Sequence, residues 1–394
     1  MLAPCTLREF VLYFARLGAL GFGGPIALSG SMQRDLVEQR RWISKTDYLQ
    51  GLALAQLAPG PLAAQLAIYL GWVRAGVFGA TLVGFAFILP SFVMVLGLSA
   101  LYVRYGGLDW MQGVFYGIGA AVIALIARSA YKLVRLTLKA DRLLWSVFVV
   151  IAVLTAWTET EFVVSFLAAG ALVWLVRMRS NRSAATLLPG WVLASFERGS
   201  AEPATWIFAG LHGPADSATL MRIAWYFTEA GVFVFGSGLA IVPFLHGGVV
   251  SEFHWLDERQ FLDAVAVAMI TPGPVVITVA FIGYLVAGPA GAALAALAVF
   301  LPCYLFVVVP APYFRRHGGN PHLRAIVDGV TAAATGAIAG AAFVLGRRAL
   351  VDGPAVAICI AVFALLLLVK RLPEPLVILA AGIVGIGITS LGRG

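Results

Sequence analysis

Apolar runs bounded by short charged clusters recur along the whole chain, most clearly at residues 75–101, 143–157, 162–176, 290–309 and 376–391. Such runs predict membrane-spanning helices and leave no room between them for a large soluble domain. The pattern is interrupted inside one apolar stretch, Ala55 to Gln65, which reads AQLAPGPLAAQ. Proline lacks a backbone N–H and its ring clashes with the preceding turn, so two prolines flanking a glycine interrupt the helix. In hydrocarbon each freed backbone group costs several kcal/mol, and a break survives only where protein, water or a ligand satisfies it.

The break recurs. Pro272-Gly273-Pro274 follows Pro59-Gly60-Pro61 by 213 residues. At that offset Phe22-Gly23-Gly24-Pro25 aligns with Phe235-Gly236-Ser237-Gly238, Trp42 with Trp255, and Tyr48-Leu49 with Phe261-Leu262. After a one-residue gap an offset of 212 holds through Leu89-Pro90 with Leu301-Pro302, Gly117 with Gly329, and Leu167-Ala168-Ala169-Gly170 with Leu379-Ala380-Ala381-Gly382. Residues 1–179 therefore read as an N-terminal repeat and 220–394 as a C-terminal repeat, with 180–219 as a polar linker expected to be cytoplasmic.

Loop charges orient the halves. Arg34, Arg40, Arg41 and Lys45 place the loop before the first Pro-Gly-Pro inside, whereas Glu252, Asp257 and Glu258 mark its counterpart as outside. Arg128, Lys132, Arg135, Lys139 and Arg142 mark a later loop as inside, and Glu159 and Glu161 mark the next as outside. The counterpart of that acidic loop carries Lys370 and Arg371, and Arg315, Arg316 and Arg324 also read as inside, while Arg347 and Arg348 dissent. The alternation closes with five crossings per half, near 10–32, 75–101, 110–127, 143–158 and 161–177 in the first, if each Pro-Gly-Pro element dips in and returns. The expected fold is an all-α polytopic membrane protein of two inverted structural repeats, about ten transmembrane helices plus two re-entrant broken helical hairpins, with both termini outside. A single kinked crossing at each Pro-Gly-Pro is the competing topology and would leave the halves parallel.

Composition agrees: 61% of the 394 residues are hydrophobic and 12% charged, against about 25% charged in soluble domains. The net charge of +8 sits in short loops, a mark of topology rather than of nucleic-acid binding. Cys5, Cys303 and Cys359 form no CxxC or Cys/His spacing and read as apolar filler. There is no GxxxxGK[ST] phosphate loop, HExxH motif or plausible Ser/His pair. Neither an enzyme nor an ATP-driven pump is indicated, and no metal or cofactor is expected.

Inverted repeats with discontinuous helices build transporter sites in which half-helix N-termini aim N–H groups at an anion. Pro61 and Pro274 occupy natural first positions of new helices, and the Phe-Gly turns supply further breaks. The candidate substrate-binding residues are Gly23, Gly24, Gln56, Pro59, Gly60 and Gln65 in the first half, and Gly236, Ser237, Gly238, Thr271, Gly273 and Thr278 in the second. Close helix packing by the glycines, and helix-to-helix hydrogen bonding by the Gln and Thr side chains, stay open as alternatives. Pro90 and Pro302 read as simple kinks. Arg16 and Glu229 occupy the same repeat position with opposite charge. They stand as an ion pair or a proton-coupling pair, or else as interfacial anchors. Asp328 and His246 are weaker candidates.

YFARLGALGFGGP, then RRW, AQLAPGPLAAQ, IYLG and AGVFGATLVGFAFILPS, together with FGSGLAIVPFL and DAVAVAMITPGPVVIT, resemble the chromate transporter (CHR) family in its long two-domain form. The resemblance covers nearly the whole chain. It implies a carrier in the bacterial inner membrane that exports chromate at the expense of the proton-motive force and confers chromate resistance, with sulfate as a similar tetrahedral dianion. The expected partners are that oxyanion and membrane lipid, and a homodimer is compatible with this reading. A dipole-lined anion channel, or a sulfate-type exchanger without chromate specificity, is the alternative.

Overall fold

The structure is a computed structural model that describes residues 3–21, 24–105, 109–158, 163–179, 209–210, 213–214, 216–233, 235–236, 241–313, 321–350, 352–369 and 374–391. Most of these residues are helical. In chain order the helices are α1 (Leu7–Leu20), α2 (Gly24–Met32), α3 (Lys45–Leu57), α4 (Leu62–Tyr105), α5 (Asp109–Thr137), α6 (Arg142–Thr158) and α7 (Val163–Arg179). There follow α8 (Ser217–Phe233), α9 (Ile241–His246), α10 (Glu258–Ile270), α11 (Thr278–Val308), α12 (Pro321–Ala349), α13 (Gly353–Leu368) and α14 (Glu374–Leu391).

Local chemistry sets the helix starts. Thr6 and Glu9 form a reciprocal capping box on α1, Asp257 and Gln260 do the same on α10, and Ser44 and Asp352 cap α3 and α13. Each such cap satisfies backbone donors that the first turn leaves orphaned.

The backbone reproduces itself at the offset seen in the sequence. Widened turns at Gln33–Gln39 and Gly247–Glu252 extend α2 and α9. They end in matching loops, where the N–H of Trp42 donates to the Leu36 carbonyl and that of Trp255 to the Val249 carbonyl, both at 2.8 Å. Arg41 and His254, 213 residues apart, both adopt left-handed backbone, with φ of 53° and 50°. The chain leaves helical geometry at Ala75–Gly76 within α4 and again at Ala287–Gly288 within α11. Pro90 and Pro302, read from sequence as kinks, lie inside those helices, and the sharp breaks fall at the Ala-Gly pairs instead.

The two halves are interlaced. α4 packs on α11 at the centre, flanked by α1 and α8. The long α12 of the second half packs on α6 and α7 of the first, while α5 of the first half packs on α13 and α14 of the second. Small residues permit this: a Cβ on Gly117 would overlap the Ala381 carbonyl, and one on Gly336 the Phe148 carbonyl. At the edge of one such contact the Arg177 guanidinium donates to Asp141 at 2.7 Å and to Asp328 at 2.6 Å, tying α7 to α12. Burial pushes the Asp141 carboxyl up, but Arg177 and the N–H groups of Leu143 and Leu144 outweigh it and hold it below the usual carboxylate range.

Apolar side chains face outward and polar ones inward. Phe78, Phe85, Leu89 and Val93 on α4 and Leu297, Leu301 and Leu305 on α11 are exposed, whereas Gln65, Ser91, Asp263, Thr271 and Thr278 are buried. An exposed apolar surface of this extent belongs against lipid. Among the described residues, Leu62–Tyr105, Val275–Tyr313 and Ala325–Arg347 are long and apolar enough to cross a membrane, and five shorter apolar helices accompany them.

Candidate functional site

Each Pro-Gly-Pro closes a helical hairpin. α3 ends at Ala58 in extended backbone (φ −81°, ψ 141°), and α10 ends at Thr271 in the same way (φ −83°, ψ 138°). Gly60 and Gly273 follow with φ of 140° and 102°, a region that side chains other than hydrogen resist. The chain then re-enters helix at Leu62 on one side, and through the short turn Val275–Ile277 on the other. In the first hairpin a Cβ on Gly51 would overlap the Tyr69 ring, so the two arms lie in contact.

One tip meets the Phe235-Gly236 break of the opposite half, and the other meets the end of α1. Gly60–Pro61 forms a two-residue parallel ladder with Phe235–Gly236. Reciprocally, the N–H of Gly273 donates to the carbonyl of Gly21 at 2.9 Å. Four interrupted helices therefore converge, and backbone groups freed by one break are taken up by another.

Side chains line this junction unequally. Gln65 is fully buried, its Nε2 donates to the Pro59 carbonyl, and its buried Oε1 has no hydrogen-bond partner among the described residues. Thr278, its counterpart, spends its hydroxyl proton on the Val275 carbonyl at 2.7 Å. Thr271 likewise donates to the carbonyls of Val267 and Ala268. Both threonine oxygens thus offer lone pairs rather than protons to the junction. Among the described residues no side chain caps the turn at Val275.

Two residues at the junction carried no functional signal in the sequence. Ser91, next to Pro90, donates to the Gly18 carbonyl at 3.2 Å and would collide with a Cβ on Gly273. Cys303, its counterpart 212 residues on, is fully buried against Gly231 and lies 3.1 Å from where a Gly60 Cβ would stand. The signal available was their place beside the matching Leu-Pro pairs.

Gln56 is exposed on α3, Arg16 is exposed on α1 and Glu229 is half-buried on α8. No ion pair joins Arg16 to Glu229 among the described residues. Asp328 is engaged by Arg177, and the buried His246 meets Glu258 at 2.7 Å. Gly24 begins α2 and Gly236 lies in the ladder with the first hairpin, while Gly23, Ser237 and Gly238 lie outside the described residues.

A mostly helical body with a lipid-facing apolar surface, broken helices meeting at its centre and a buried polar junction defines a polytopic membrane transporter. The profile of the chromate transporter family matches residues 8–174 and, a second time, 221–386. The chain belongs to that family. It is 57% identical to the chromate transport protein of Cupriavidus metallidurans over 97% of this chain and 93% of that one. It is 56% identical to the probable chromate transport protein of Synechococcus elongatus, over 97% and 95% of the two chains. The chromate transport protein of Pseudomonas aeruginosa is 31% identical over 97% of this chain and 92% of its own. No solved structure matches. The family is one of transporters rather than enzymes.

Proposed function

We propose that this protein exports chromate, or a related tetrahedral oxyanion such as sulfate, across the bacterial inner membrane as a secondary transporter coupled to the proton gradient. The observation that carries the reading is the reciprocal meeting of the Pro-Gly-Pro tips with the opposite half, one at Phe235–Gly236 and the other at Gly21. It brings the starts of the helices that follow the two tips, which carry the partial positive charge of helix N-termini, to one buried place where no basic side chain is needed.

The same arrangement supports an inverted pair of repeats with ten crossings and two re-entrant hairpins. The arms of the first hairpin, Lys45–Leu57 and the part of α4 before Ala75, contain 13 residues each. At 1.5 Å per residue each reaches about 20 Å, short of the roughly 30 Å hydrocarbon core. An anion held at the tips would sit near mid-membrane.

Counterflow in proteoliposomes tests the function. Purified protein loaded with unlabelled chromate should accumulate external labelled chromate, and an imposed pH gradient should drive net movement. Flux of neither chromate nor sulfate would overturn the reading, and non-saturating flux without counterflow would turn it into a channel.

A further inference from the structure

Asp263 is the one fully buried carboxylate among the described residues, with a relative exposure of 3%. It lies in α10, eight residues before Thr271, about 12 Å along the helix axis from the Pro-Gly-Pro tip at 1.5 Å per residue. Its Oδ2 accepts a 2.7 Å hydrogen bond from the hydroxyl of Tyr102, near the end of α4 in the other half. Tyr102 is itself wedged edge-on between Phe115 of α5 and Phe281 of α11, with ring centroids 5.6 and 5.3 Å away. No cation pairs with Asp263 among the described residues. The charged groups acting on it are Arg259 and Asp257 at the head of its own helix, and Tyr102 is the titratable group facing it from α4. Among the described residues α5, α11 and α14 bring no further charge to it.

A carboxylate taken out of water without a cation is costly, and carboxyl groups kept at such positions in membrane proteins serve as proton relays. The bond to Tyr102 gives this one two states. Ionised, the carboxylate accepts a hydrogen bond from the phenol. Protonated, it can itself donate, and the phenol oxygen can accept. Proton uptake from water therefore changes the charge and can reverse the hydrogen bond between the second hairpin and a long helix of the opposite half. The corresponding residue of the first half is Gln50, which takes up no proton, so the molecule has one such site rather than two.

We propose that Asp263 is the group that binds the transported proton and links its movement to that of the anion, with Tyr102 positioning the carboxyl. This assignment rests on the transport reading above.

The test is chromate-evoked proton movement, followed with a trapped pH-sensitive dye in proteoliposomes, alongside chromate counterflow. Wild-type protein should show both. Asp263→Asn should lose the proton movement and the dependence of chromate flux on a pH gradient while still exchanging chromate. Tyr102→Phe should keep coupling and move its pH midpoint upward, because the hydrogen bond that favours the ionised carboxylate is gone. Should Asp263→Asn fail to fold, the Tyr102→Phe midpoint decides, and an unshifted midpoint overturns the proposal. It is equally overturned if Asp263→Asn retains wild-type proton movement, if Glu229→Gln and not Asp263→Asn abolishes it, or if wild-type chromate flux moves no protons. Absence of wild-type chromate flux would instead overturn the transport reading itself.

Discussion

The N–H of Gly273 reaches across the molecule to the carbonyl of Gly21, 2.9 Å away, joining the tip of the second hairpin to the first break of the other half. Its mirror is the ladder between Gly60–Pro61 and Phe235–Gly236. Neither break would be tolerable alone in hydrocarbon, where unsatisfied backbone is costly. Together they satisfy one another in part.

Replacing the tip glycines should separate folding from transport. At Gly273 an alanine meets both φ of 102° and the Ser91 side chain, and at Gly60 it meets φ of 140° and Gln65. Each substitution should cost more than about 1 kcal/mol of stability. Transport should fall much further than thermal stability in detergent, with the protein still inserted in the membrane. Wild-type transport in both variants would remove the tips from the site.

Gln65→Ala strips the Pro59 carbonyl of its donor. Loss of one such bond is worth about 1 kcal/mol. The melting temperature should therefore move modestly while chromate uptake drops sharply, and uptake at different chromate concentrations will show whether affinity or turnover is lost.

Inversion of the halves is read by labelling. Arg41 and His254 occupy equivalent, exposed positions with the same left-handed backbone, whereas Trp255 is buried and unsuited to a probe. With Cys5, Cys303 and Cys359 replaced, Arg41→Cys should react with an impermeant reagent from the cytoplasmic side and His254→Cys from the opposite side. Labelling of both from one side would make the halves parallel.

Arg177→Ala should loosen the contact between α7 and α12, lowering the melting temperature at neutral pH. The Asp141 carboxyl is held below its ordinary value, so its contribution is complete above the unfolded value of about 3.9 and is lost as pH falls through the folded one. The wild type should lose this increment on acidification, and the difference between wild type and Arg177→Ala should shrink in parallel. A difference independent of pH would mean that Arg177 acts through packing alone.

Much of the junction was legible in the sequence because proline and glycine act locally. Pro59-Gly60-Pro61 and Pro272-Gly273-Pro274 announce a break whatever surrounds them, and the 213-residue offset links them. Which break each tip faces is a matter of long-range packing, on which local propensity is silent. Asp263 was missed for a related reason. Near the acidic cluster Glu252 to Glu258 it reads as one more loop charge, and only the start of α10 at Glu258 carries it into the interior. Among the described residues Arg16 and Glu229 form no ion pair, because equivalence under a repeat does not bring two residues into contact.

The interlacing of the halves has a consequence for biosynthesis. α7 ends at Arg179 and α12, its packing partner, begins at Pro321. At about 5–20 residues per second the ribosome needs on the order of ten seconds to supply that partner. Throughout that interval the nascent first half carries an unfilled face on α6 and α7. Variants at the Gly336 contact with Phe148 should thus first show as poor yield of assembled protein, because a second unfinished copy competes for the same face during translation.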